Sequence, residues 1–261
     1  MRWVALVCVL LLIASGIGEH TEHFNIRYSD CYQSDSDTGK VLENAYNYVN
    51  MYLGTVPPSI KVIVVNKSRM DAVGKHVEAF SAWSRRSSSI VLRDETLKDP
   101  KSLSIVVKHE ICHLGLNSIM EFKDDGQFGW MEEGVCMVIS GEPLDDLKVS
   151  KCIVGKGFLN TSEIAAAVDS NDYQVCKNGY LQSYSLCKYI TMKYGVRTLI
   201  DIIKNPERDF GGSFRACTSR DFASFYEEWK AYVEGTAAGG LQMDFTDVWR
   251  NMILGEVGGG A

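Results

Sequence analysis

In His109-Glu110-Ile111-Cys112-His113, residue types and spacing specify chemistry more directly than anywhere else in the 261-residue chain. On a helix, positions i and i+4 share a face one turn apart. Two imidazoles can therefore meet one tetrahedral zinc while the Glu between them reaches a water beside it. A catalytic zinc takes three protein ligands and keeps one position open. The nearest further donors are Glu132 and Glu133, in Trp130-Met131-Glu132-Glu133-Gly134. Either carboxylate can return to the imidazoles from an antiparallel second helix, and Cys112 or Cys136 are the other protein-based completions. No histidine follows His113, which excludes an arrangement whose third histidine lies downstream.

The elements that must position these residues are legible in the periodicity. Asp99 as N-cap and Pro100 at the first helical position open a helix whose apolar residues Leu103, Val106, Val107, Ile111 and Leu114 recur at helical spacing up to Gly115. A reversing loop over Leu116 to Phe128 leads to a second helix, Met131 to Ser140. Upstream, Phe24, Ile26 and Tyr28 alternate as in a half-buried strand, and Val41 to Val49 reads as a helix stopped by Pro57-Pro58. Ile60 to Val65 is a β-branched buried strand, and Ile90-Val91-Leu92, after the Ser87 to Ser89 tract, is a shorter one at an edge. Downstream, helices are predicted over Gly179 to Tyr194, Val196 to Lys204 and Ser219 to Glu234, before a Gly-rich tail. The expected class is α+β, a mixed N-terminal sheet with a helix, packed on a zinc-binding helical subdomain.

His109-Glu110-Ile111-Cys112-His113 followed by Trp130-Met131-Glu132-Glu133-Gly134 resembles the gluzincin metallopeptidases, in particular the peptidase-MA-like domains, and the resemblance covers about His23 to Lys204. It implies a zincin-like fold and a zinc ion held by His109, His113 and Glu133. The Glu-Gly match selects Glu133, whereas the spacing of aminopeptidase-type relatives would select Glu132. It further implies Glu110 as general base toward a zinc-activated water. By position, Tyr180 would donate to the oxyanion, with Tyr184 one turn later as the fallback. The substrate would be a peptide or protein, its backbone adding as a strand along Ile90-Val91-Leu92.

Composition bounds the rest. With 27 Lys and Arg against 33 Asp and Glu the formal charge is −6, and no run of more than two basic residues occurs, which excludes a nucleic-acid partner. Arg2, the apolar run Val4 to Ile13 and the small residues Ala14, Ser15, Gly16 and Gly18 read as a signal peptide over 1–18. The expected organisation is that signal, a metallopeptidase domain over 19–204 and a helical C-terminal extension over 205–261. The product would be secreted, with no membrane span after cleavage. Seven cysteines would remain: Cys31, Cys112, Cys136, Cys152, Cys176, Cys187 and Cys217. Cys152 with Cys176 and Cys187 with Cys217 are plausible staples, Cys112 and Cys136 buried thiols or a disulfide, and Cys31 a conceivable latency ligand. His20, His23 and His76 lack any ligand-spaced partner. The rival expectation is a catalytically silent, zinc-stabilised secreted binding module, against which the intact Glu110 counts.

Overall fold

The computed structural model describes residues 18–29, 37–74, 77–84, 87–120, 125–205, 207 and 209–239. Residues 1–17 of the expected signal peptide, Cys31 and His76 lie outside them. The chain is mixed α+β, with ten α-helices and one five-stranded mixed sheet among the described residues. It divides into two compact units, Met1–Glu142 and Pro143–Ala261. A boundary at 204/205 falls inside the second unit.

The first unit holds the sheet, in strand order β1-β2-β3-β5-β4. β1 (Gly18–His20) pairs antiparallel with β2 (Phe24–Tyr28), and β2 runs parallel to β3 (Ile60–Val65). β3 is parallel to β5 (Ser87–Arg93), which pairs antiparallel with β4 (Ala79–Ser84). Ile26, Val62 and Ile90 stand in one register across the centre. The run from Val62 to Val65 is almost wholly buried, as befits a parallel strand covered on both faces.

β5 is therefore an interior strand, and the expectation that Ile90-Val91-Leu92 offers an edge is corrected. The Ser87 to Ser89 tract is part of β5, and the edge on that side is β4, whose Ala and Ser content hides it from a propensity reading.

Helix α1 (Thr38–Leu53) ends at Gly54, which takes φ +66° and donates to Asn50 O, so the stop comes before Pro57-Pro58. A short helix, α2 (Lys67–Asp71), puts Met70 against Ile63, Val65 and Val91. Helix α3 (Pro100–Met120) starts where expected, with the Asp99 carboxylate accepting from Lys101 N and Ser102 N.

α3 does not stop at Gly115. That glycine sits inside the helix because a Cβ there would lie 2.7 Å from Leu53 Cδ1, at the close approach of the end of α1. Helix α4 (Asp125–Ser140) likewise begins before Met131, so most of the expected loop is helical. α3 packs against α1, α4 and the edge strand β4.

The second unit is helical: α5 (Asp146–Lys156), α6 (Thr161–Val168), α7 (Tyr173–Tyr194), α8 (Val196–Lys204), α9 (Phe210–Thr218) and α10 (Phe222–Ala237). α8 has the predicted bounds, and α7 and α10 match with longer or shifted ends. Its core gathers Phe214, Phe225 and Trp229, with the indole N–H of Trp229 donating to Ser185 Oγ. Among the described residues no two cysteines are joined in a disulfide, so the expected Cys152–Cys176 and Cys187–Cys217 staples are not formed. Cys176 Sγ donates to Val168 O, Cys217 Sγ accepts from Asn205 Nδ2, and Cys187 is fully buried on α7.

Candidate metal centre

His109 and His113 lie one turn apart on α3, and Glu133 faces them from α4. The three offer ligand atoms grouped closely enough to hold one metal ion. The two Nε2 atoms are 3.1 Å apart, and Glu133 Oε2 lies 3.3 Å from each. Ligands about 2.0–2.1 Å from a tetrahedral metal stand roughly 3.3 Å from one another, so the triangle has the size such an ion requires.

The hydrogen bonds behind the imidazoles carry the fit further. His113 Nδ1 is 2.9 Å from Glu132 Oε1, and His109 Nδ1 is 2.8 Å from Glu142 Oε1. A carboxylate accepts only, so each Nδ1 carries the proton, and in a neutral ring Nε2 then presents its lone pair. Two lone pairs and an anionic oxygen thus converge. Glu133 Oε2 is buried, its neighbours are the two Nε2 atoms at 3.3 Å, and with both rings neutral neither of them donates to it. Such a group calls for positive charge at its centre, and a divalent cation supplies it.

The ionisation of the same residues shows this demand. Burial acts to lower the pKa of His109, yet the Glu133 and Glu142 carboxylates reverse it and push the ring up to about 10. Burial opposes charge on His113 too, and Glu133 and Glu132 lift it well above its ordinary value. For Glu133, burial favours the neutral acid, but the two imidazoles hold the carboxyl far below the usual range.

Sequence reasoning placed His109, His113 and Glu133 together, and the structure brings them together. Glu132, the alternative ligand, is instead the partner of His113 Nδ1. Cys112 and Cys136 are fully buried and outside the group, and burial followed by the neighbouring Cys112 pushes the Cys136 thiol well above its ordinary pKa. A thiol so held does not offer the thiolate that a metal takes.

Glu110 is 8% exposed and neither hydrogen-bonds nor ion-pairs with any described residue. A carboxylate kept for structure would have a partner. Tyr180 lies in the second unit, half-buried on α7, and Tyr184, one turn on, is buried with the Lys188 ammonium 5.4 Å from its ring centroid.

Sequence reasoning missed Glu142. Its position depends on the end of α4, where Gly141 takes φ +74° and donates to Val138 O while Glu142 N donates to Met137 O. This pair of bonds is a Schellman cap, and it turns Glu142 back to His109. A glycine two residues after a run of helical apolar residues was the available signal.

Also missed was a second group, Glu22, His23 and Glu43, brought within metal-binding distance by the pairing of the β1–β2 turn with α1. There both Glu43 oxygens are already in use, accepting from Thr21 Oγ1, His23 N and His23 Nδ1.

No protein-family model matches the chain. No curated protein matches it in sequence.

Proposed function

We propose that the protein is a secreted zinc-dependent peptidase of the gluzincin type, with a zincin-like first unit. The observation that carries this reading is the convergence of His109 Nε2, His113 Nε2 and Glu133 Oε2, with the unpaired Glu110 carboxylate on the same helical turn. The ligand set of two imidazoles and one carboxylate suits zinc and leaves a fourth position for substrate or water.

When bound, the metal supplies Lewis acidity at that open position. Glu132 and Glu142 hold the two rings in the tautomer that exposes Nε2. Glu110 accepts the proton of the attacking water and returns it to the leaving amine, a role for which a nearly buried carboxylate without a fixed partner is suited. β4 replaces β5 as the strand along which a substrate backbone adds, since of the two edge strands, β1 and β4, it is the one beside β5 and α3 packs against it. Tyr180 belongs to the second unit, and the reading stands on first-unit residues alone.

The test is cleavage of a diverse peptide library by zinc-loaded wild type beside zinc-loaded Glu110→Gln, read by mass spectrometry. Products from wild type, with a loss of at least about 100-fold in the variant, support the reading. Equal products from both would remove Glu110 from the chemistry. No products from either, with zinc bound to both, would favour a binding role.

A further inference from the structure

Asn66-Lys67-Ser68 and Asn160-Thr161-Ser162 have the form Asn-x-Ser, the acceptor pattern for an N-linked glycan in an exported chain. Such tripeptides arise often by chance, so the fold around each asparagine decides. Both are N-caps, Asn66 accepting from Arg69 N at the start of α2 and Asn160 from Glu163 N at the start of α6. In each the acceptor atom is Oδ1. A glycan is carried on the nitrogen, Nδ2, so a cap and a glycan can share one asparagine.

The two differ in exposure. Asn66 is half-buried, between the buried strand end at Val65 and the core residue Met70. Asn160 and Ser162 are exposed, and among the described residues nothing accepts a hydrogen bond from Asn160 Nδ2. The turn before Asn160 is held from the inside. Gln182, fully buried on α7, accepts from Leu159 N and donates to Gly157 O, each at 2.9 Å. The Tyr226 hydroxyl of α10 donates to Leu159 O, and the Phe158 ring stands edge-on to Trp229 with centroids 5.4 Å apart.

Behind Asn160 the capping box closes the helix end, with Asn160 N donating to Glu163 Oε2. Phe158 and Leu159 are thus anchored to the helical core while the Asn160 amide faces solvent. A bulky, hydrated glycan can leave the surface there without displacing a packed side chain. At Asn66 it would have to open a half-buried position.

We propose that Asn160 is an N-glycosylation site. The proposal rests on the secretion part of the reading above, and not on the metal or the peptidase chemistry. The donor is a lipid-pyrophosphate-linked oligosaccharide. A bond forms between Asn160 Nδ2 and the anomeric carbon, the bond from that carbon to the pyrophosphate oxygen breaks, and the lipid pyrophosphate leaves with the electron pair. Nδ2 gives up one of its two protons. Oδ1 keeps its bond from Glu163 N, so the modified chain retains the α6 cap.

The test uses the full chain, produced in a glycosylating eukaryotic host with its own signal segment and, separately, with a cleavable foreign signal in its place. Secreted protein is treated with a peptide N-glycosidase in heavy-oxygen water, which converts each glycosylated Asn to an isotopically marked Asp, and its peptides are read by mass spectrometry. The mark is expected at position 160 in most secreted chains. Ser162→Ala, which leaves Asn160 and its cap in place, is expected to lose the glycan mass, and Ser68→Ala to keep it.

An unmarked position 160 in chains exported by the foreign signal, a mark confined to position 66, or a glycan retained in Ser162→Ala overturns the proposal. Marking at 160 with the foreign signal, together with retention inside the cell under the chain's own, leaves the proposal standing and removes the secretion reading.

Discussion

Glu142 Oε1 lies 2.8 Å from Nδ1 of His109, from a position just past the last residue of α4. The metal ligand on one helix is thus oriented by the cap of the next. Glu142→Ala leaves that N–H without its carboxylate, and the ring is free to turn. Zinc affinity is expected to fall about 10–100-fold, with Glu142→Gln falling less, as read by competition with a chromophoric chelator.

The cap itself makes a second prediction. Gly141 stands at φ +74°, where a Cβ has space but the backbone conformation is strained for an L side chain. Gly141→Ala should destabilise the protein by about 1 kcal/mol and weaken zinc binding with it. Gly155 is the control. It lies within α5 at an ordinary φ with nothing near its absent Cβ, so Gly155→Ala should stabilise by roughly 0.5–1 kcal/mol. Urea denaturation of the two variants checks both signs.

Acid sensitivity is expected at the N-terminal strand pair. Burial acts to raise the pKa of Glu43, but the hydrogen bonds from Thr21 and His23 outweigh it and hold the carboxyl below its ordinary 4.5. A depressed folded-state pKa contributes stability that is fully present above the unfolded value and is lost as the pH falls through the folded one. The stability difference between wild type and Glu43→Gln should therefore be constant above pH 4.5 and close below it. Denaturation curves across that range supply the measurement, and a gap independent of pH would contradict the assignment.

Where one element's own residues decide its form, the sequence was readable. β3 is β-branched at every position but Lys61 and α3 opens with Asp99-Pro100, and both appear as expected. The ligand trio was legible because His109 and His113 are fixed by helical spacing alone and Glu133 by a short motif.

What escaped depended on partners distant in sequence. Gly115 looked like a helix end because its close neighbours, Leu53 and Val56, are more than fifty residues away. β4 is a strand because β5 pairs with it, although Ala79, Ser81 and Ser84 have little strand propensity of their own. Arg93 is buried because Asp71 and the Val77 carbonyl come to meet it, which no local pattern announces. Glu142 and the Glu43–His23 pair escaped for the same reason.

The central claim is that His109, His113 and Glu133 hold one metal ion, with Glu132 behind a ring and not on the metal. Elemental analysis of wild type, Glu133→Ala and Glu132→Ala, each purified after equilibration with a modest excess of zinc, tests it most directly. The account predicts one zinc per chain in wild type, none retained by Glu133→Ala, and zinc retained with weakened affinity by Glu132→Ala. Full retention by Glu133→Ala together with complete loss in Glu132→Ala would contradict it.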